Sequence, residues 1–176
     1  MVKLKVQTTA DLMMEDSEYR ALLQEMDSYI VHIDEDPSAD LGIFLKSLHI
    51  TNKYTQRVGA IALKALFNEQ SYRDLFSDVK RTYDSKYNGV MQGDEKIQNL
   101  KNQALREAAA SAFLEEEATA LAHATGALER ATNFRKITER KLELLKDASD
   151  KLSRQITVVE RMIDIGLIRG KKLPGE

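Results

Sequence analysis

The chain has 176 residues, a formal net charge of -2, no cysteine and two prolines, Pro37 and Pro174. Without cysteine, disulfides, zinc–thiolate sites, iron–sulfur clusters and a thiol nucleophile are excluded. No stretch of about 18 residues is apolar and free of charge, so no membrane span and no secretory leader is expected, and the cytoplasm is the expected compartment.

The charge is distributed in blocks of opposite sign. Residues 1–40 carry 3 basic and 10 acidic side chains, 41–89 carry 8 and 4, 90–133 carry 4 and 7, and 134–176 carry 11 and 7. Such alternation suits acidic-on-basic packing between copies, polyanion binding by the basic blocks, or simply solvated helix faces.

In chain order, residues 1–6 are too short for more than an extended arm. Tyr19, Leu22, Leu23, Met26, Tyr29, Ile30 and Ile33 recur every three or four positions, which predicts a helix capped by Asp16 or Ser17 and stopped at the acidic run before Pro37. Ser38 is the expected cap of a second helix buried along Leu41, Phe44, Leu45 and Leu48. Apolar spacing resumes at Val58, Ile61, Ala62, Ala65 and Leu66, then at Leu75, Phe76 and Val79, with an interruption expected at residues 68–71. Residues 83–93 hold Asn88-Gly89 and Gly93 and read as the main loop.

Beyond Asp94 a heptad emerges. Leu114, Leu121, Leu128, Arg135, Leu142, Ser149, Ile156 and Ile163 share one position, and Glu117, Ala124, Ala131, Thr138, Leu145, Leu152 and Val159 lie three further on. This spacing predicts a helix, or two if Gly126 divides it, packed along its length like a coiled coil. Gly166 and Gly170 end it, and a basic tail follows. A helix of about 70 residues would extend about 100 Å, more than two short helices cover, so the stripe is expected to pair with other copies of the chain. The interface residues of that homo-oligomer would be Leu114, Leu121, Leu128, Leu142, Leu145, Leu152, Ile156, Val159 and Ile163. The expected fold is therefore all-α, an elongated helical hairpin or bundle with a long C-terminal coiled-coil-like helix. It is organised as one domain with an acidic arm and helix (1–40), basic aromatic helices and the glycine loop (41–93), the long helical half (94–166) and a basic tail (167–176).

Signs of catalysis are missing. His32, His49 and His123 have no second histidine at ligand spacing, and Glu115, Glu116 and Glu117 occupy consecutive helix positions that cannot converge on one ion. The glycine loop lacks the Gly-Lys-Ser/Thr ending of a phosphate loop. No enzyme, metal or cofactor is expected.

Binding remains. Between residues 64 and 87, Arg73, Lys80, Arg81 and Lys86 are interleaved with Phe67, Tyr72, Phe76, Tyr83 and Tyr87, a composition that suits single-stranded nucleic acid, whose phosphates take cations and whose bases take aromatic rings. Helical spacing assigns Phe67 and Phe76 to the core and leaves Tyr83 and Tyr87, beside the glycines, as stacking residues. A second basic cluster, Arg135, Lys136, Arg140, Lys141 and Lys146, continuing to Arg154 and Arg161, is spaced for ion pairs with Glu139, Glu143, Asp147 and Asp150.

The segment ending in Lys80-Arg81-Thr82-Tyr83, the turn Lys86-Tyr87-Asn88-Gly89 and the long Ala/Leu/Lys-rich half that follows resemble the UvsY-type recombination mediators of T-even-type bacteriophages over about residues 41–165. In that family a Lys-x-Arg precedes a Tyr-Tyr-Ser-Gly-like turn. Arg81 and Tyr83 stand at those two places here, with Lys80 and Lys86 the alternatives for the second charge. The resemblance implies a helical homo-oligomer in the host cytoplasm that binds single-stranded DNA and loads a RecA-like recombinase onto DNA coated by single-strand-binding protein, with Arg73, Lys80, Arg81, Tyr83, Lys86 and Tyr87 at the DNA. The composition equally suits a structural coiled-coil protein, a virion scaffold or assembly chaperone.

Overall fold

The computed structural model describes residues 16–31, 33 and 40–166, and over these the chain is all-α. In order the helices are α1 (Asp16–Asp27), α2 (Leu41–Gly93), α3 (Glu95–Gln98), α4 (Gln103–Phe113) and α5 (Glu115–Asp164). The extended arm, Ser38, the acidic stop before Pro37 and the basic tail lie outside the described residues. No described helix is long and apolar enough to cross a membrane.

α1 is shorter than its apolar spacing predicts. Ser28 turns its hydroxyl back onto the Glu25 carbonyl at 2.6 Å, competing with the helical ladder, and the chain leaves the helix there. Of the pattern's last residues, Ile30 is 62% exposed, while Ile33 packs from non-helical chain against the Phe44 cluster together with Val31, which the pattern does not include. Asp40 opens α2 by accepting the Gly42 N–H at 2.9 Å, the bond a helix cap makes.

α2 corrects two expectations. It runs without interruption through residues 68–71, and residues 83–93 are helix rather than loop. Neither Gly89 nor Gly93 has a positive φ, and a Cβ added at either would meet nothing within 4 Å. Glycine there costs helix stability without serving a turn. Gly89→Ala is therefore expected to raise stability by about 1 kcal/mol in denaturant unfolding; a decrease would show that the chain leaves the helix at this point.

The breaks fall instead between residues 94 and 114, at polar caps. Asp94 accepts the Lys96 and Ile97 amides ahead of α3, and Asn102 accepts the Leu105 amide at 2.8 Å ahead of α4. Leu114 alone separates α4 from α5, and Glu115, Glu116 and Glu117 fill the first turn of α5, where the helix dipole favours carboxylates. Gly126 does not divide α5.

The described residues form two compact units, 65–135 and 16–64 with 136–166, and α2 and α5 each contribute to both. In the second, Phe44 of α2 packs with Leu152, Ile156 and Val159 of α5, with Leu41, Leu48 and Ile163 at the margin. α1 is fastened to α2 by the Glu25 carboxylate, which takes both Arg57 Nε at 2.6 Å and Arg57 Nη2 at 3.1 Å, and by the Tyr29 ring stacked on Tyr54 at 4.5 Å. The Arg57 guanidinium and the Tyr29 hydroxyl hold the Glu25 carboxyl below its usual range, while burial and that same carboxylate push Tyr29 up. In the first unit the core is lighter: Tyr72 of α2 against Ala127 and Ala131 of α5, with Leu75 and Leu128 beside them.

The heptad row expected at an interface between copies is covered within the single chain. Leu114, Leu145, Leu152, Ile156 and Val159 are buried, and Leu121, Leu128, Leu142 and Ile163 are half-buried. The partner helix is α2, so this row no longer supplies a burial argument for a second copy.

Candidate nucleic-acid interface

At about 100° per residue, the six side chains assigned to DNA do not share one face of α2. Arg73, Lys80, Tyr83 and Tyr87 fall within an arc of about 80°, Arg81 stands to one side of it, and Lys86 points roughly opposite to Arg73. The Tyr83 and Tyr87 rings, one turn apart, stack at 6.0 Å with 23° between their planes, and both are half-buried. Lys80 beside them is exposed.

Three of the four cations already have carboxylate partners. Arg73 donates to Glu69 at 2.8 Å, Arg81 to Asp78 at 2.7 Å, and Lys86 bonds Glu117 at the start of α5. The Lys86 ammonium, together with the backbone amide of Glu117 itself, holds the Glu117 carboxyl below its usual range. The Arg81 pair is open to solvent on both sides and is therefore weak and exchangeable; Lys86 is committed to a half-buried partner. Asp74, Asp78 and Asp84 are exposed among these cations, which leaves the outward face of this part of α2 close to neutral.

The aromatic assignments shift as well. Phe76 is half-buried as spacing predicts, but Phe67 is 66% exposed, and Tyr72, at 3%, takes the core place. The exposed Phe67 has no explanation in the contacts of this unit.

Beside Lys86 lies an open cleft of about 680 Å³, walled by Gly89, Val90, Phe113 and Leu114 and rimmed by Asp94, Glu95, Lys96 and Glu117. Its rim holds more carboxylates than ammonium groups, which disfavours a phosphate. Among the described residues no group of three or more His, Asp or Glu side chains is placed to hold a metal ion. His49 and His123 are exposed on helix surfaces.

A charged group that spacing did not single out is the most enclosed of all. Glu69, 3% exposed, receives Arg135 of α5 and Arg73, with the Thr132 hydroxyl at 3.3 Å. The residue falls within the expected interruption, and the signals for it are Arg135 breaking the heptad and Arg73 four residues further along α2.

In the second basic cluster Arg135 pairs with Glu69 of α2, whereas Lys136, Arg140, Lys141, Lys146, Arg154 and Arg161 make no ion pair within 4.0 Å among the described residues, nor does Lys151 between them, and all of these but the half-buried Lys141 are exposed. Comparisons with protein-family models, curated proteins and solved structures return no match for this chain.

Proposed function

We propose that the chain is a non-enzymatic single-stranded-DNA-binding accessory protein, a recombination mediator that helps a RecA-like recombinase displace single-strand-binding protein, and that it works as a homo-oligomer. The observation that carries this reading is the stacked Tyr83–Tyr87 pair on the same side of α2 as Lys80, the one cation of the four without an ion pair. Rings beside an uncommitted ammonium suit a base and its phosphate. The resemblance in residues 80–89 supports the same reading.

The arc that holds both tyrosines carries two cations, Arg73 and Lys80, and Arg73 is already paired with Glu69. One chain can neutralise only about one or two phosphates there, so affinity has to come from several copies engaging one strand.

Retention of an oligothymidylate measured across a salt series tests the proposal. Binding is expected at about 50 mM salt and to fall with added salt, at roughly 0.7 logarithmic units per phosphate neutralised. Lys80→Ala combined with Tyr87→Ala is expected to weaken retention about tenfold, from one lost phosphate contact and one lost stack. Lys86→Ala should leave it unchanged, because that ammonium is held by Glu117. No retention at low salt rejects the reading. The alternative, a structural assembly protein acting through helix pairing alone, is favoured by one observation, the exposed aliphatic row on α5 (Ile137, Leu144 and Val158).

A further inference from the structure

Within the unit that contains residues 136–166, α5 has a second apolar row besides the buried one. Ile137, Leu144 and Val158 are 48%, 56% and 49% exposed, and they recur at multiples of seven residues. Leu144 and Val158 are separated by one missing heptad step, and Lys151 occupies it. On the outer side of this row, all within about a third of the helix circumference, stand Lys136, Arg140, Arg154 and Arg161. With Lys151 that makes five cations without ion pairs, against two carboxylates, Glu143 and Asp147, in the same arc.

We propose that this face docks an acidic amphipathic α-helix of another protein. One aliphatic side chain every two turns is the seam that a single helix fills; a helix lying on lipid needs a broader apolar face than three residues over six turns provide. A lysine within such a seam weakens pairing in general and favours a partner that places a carboxylate opposite it, which sets register. The cations along one flank require a partner whose facing flank is acidic. A second copy of this chain pairing through the same face would set arginines and lysines near their own kind, which the charge disfavours. Phosphates would satisfy the cations, but nucleic acid gains nothing from three exposed aliphatics, and no aromatic ring lies in this arc. The face is on α5 and is independent of the DNA reading on α2.

The test uses the full chain and a labelled synthetic helix with leucine at its a and d positions and glutamate on its flanks, with a lysine-flanked version as control. The glutamate helix is expected to bind with a Kd on the order of 10 µM and to weaken with salt, while the lysine helix does not bind. Leu144→Asp and the double variant Arg140→Glu/Arg154→Glu should each lower affinity at least tenfold with unchanged helical content, since these side chains are exposed and outside the core. Four results would overturn the proposal: no binding of the glutamate helix at about 100 µM; equal binding of the two helices; oligothymidylate or anionic phosphatidylserine vesicles bound in its place with loss in the same variants; or a concentration-dependent dimer that Leu144→Asp dissolves.

Discussion

Leu152→Ala is expected to lower the unfolding free energy by about 3 kcal/mol, within the usual range for a fully buried leucine, as a shift of the denaturant midpoint that does not depend on protein concentration. Leu152 is 0% exposed and touches Phe44, Ile156 and Val159, so truncation removes a methylene-rich side chain from water-free surroundings and leaves a cavity. If the same leucine lay between copies, the variant would dissociate an oligomer, and the loss would change with concentration by mass action. Leu144→Ala, two turns away and 56% exposed, is the control and should change stability by less than about 0.5 kcal/mol. Equal effects for the two leucines would mean that the assignment of inner and outer rows on α5 is reversed.

The contrast between these two leucines marks what the sequence could say. A heptad states that a helix has a partner along one side; it does not state whose helix the partner is. Leu114 to Ile163 were recognisable as a seam because the period is a local property of α5. The partner, α2, was hidden because its own apolar residues were divided between two helices and a loop on the strength of Asn68 to Ser71 and of Gly89 and Gly93. Glycine is a probabilistic breaker. At about 1 kcal/mol it is outweighed where the rest of the turn is helical and packed, as α2 is in both units. The true breaks carried a different signal, Asp94 and Asn102 as caps, which spacing alone does not weigh.

The impurities of the seam were legible as residues but not as information. Glu117, Arg135 and Ser149 interrupt the heptad, and each meets a polar side chain of α2: Lys86, Glu69, and Asn52 at 3.0 Å. An apolar seam with small residues, such as the Ala124, Ala127 and Ala131 stretch, tolerates sliding of one helix on another, whereas a charged pair at one station does not. Within the unit of residues 65–135 the Lys86–Glu117 and Glu69–Arg135 pairs therefore fix the antiparallel register of α2 on α5, and within the other unit the Asn52–Ser149 bond marks one station of it. For the candidate interface, composition singles out Lys80, Tyr83 and Tyr87 but does not show that Arg73 and Lys86 are already committed: Glu69, four residues before Arg73, falls in the expected interruption of the helix, and Glu117 becomes a neighbour of Lys86 only once α2 and α5 are placed.

Arg135→Leu should expose this register device most directly, with a loss of about 3 kcal/mol near pH 7 and a characteristic pH dependence. Burial pushes the Glu69 carboxyl upward, but Arg135, the Thr132 hydroxyl and Arg73 more than offset it, and its folded value lies below the ordinary 4.5. A carboxyl lowered on folding contributes stability that is complete above about 4.5 and is lost as the pH falls through the folded value. Removing Arg135 reverses the sign. Arg73, with 59% of its side chain exposed, leaves only a screened cation, burial then dominates, and the variant is penalised increasingly as the pH rises past 4.5. The difference between wild type and Arg135→Leu is thus expected to be greatest at neutral pH and to shrink toward pH 3, read from urea midpoints across the range. Glu69→Leu combined with Arg135→Leu should recover most of the loss and abolish its pH dependence, since two apolar side chains in that station need no counter-charge. A difference that stays constant between pH 3 and 7 would place the cost in lost packing of the Arg135 stem and remove the Glu69 charge from the account.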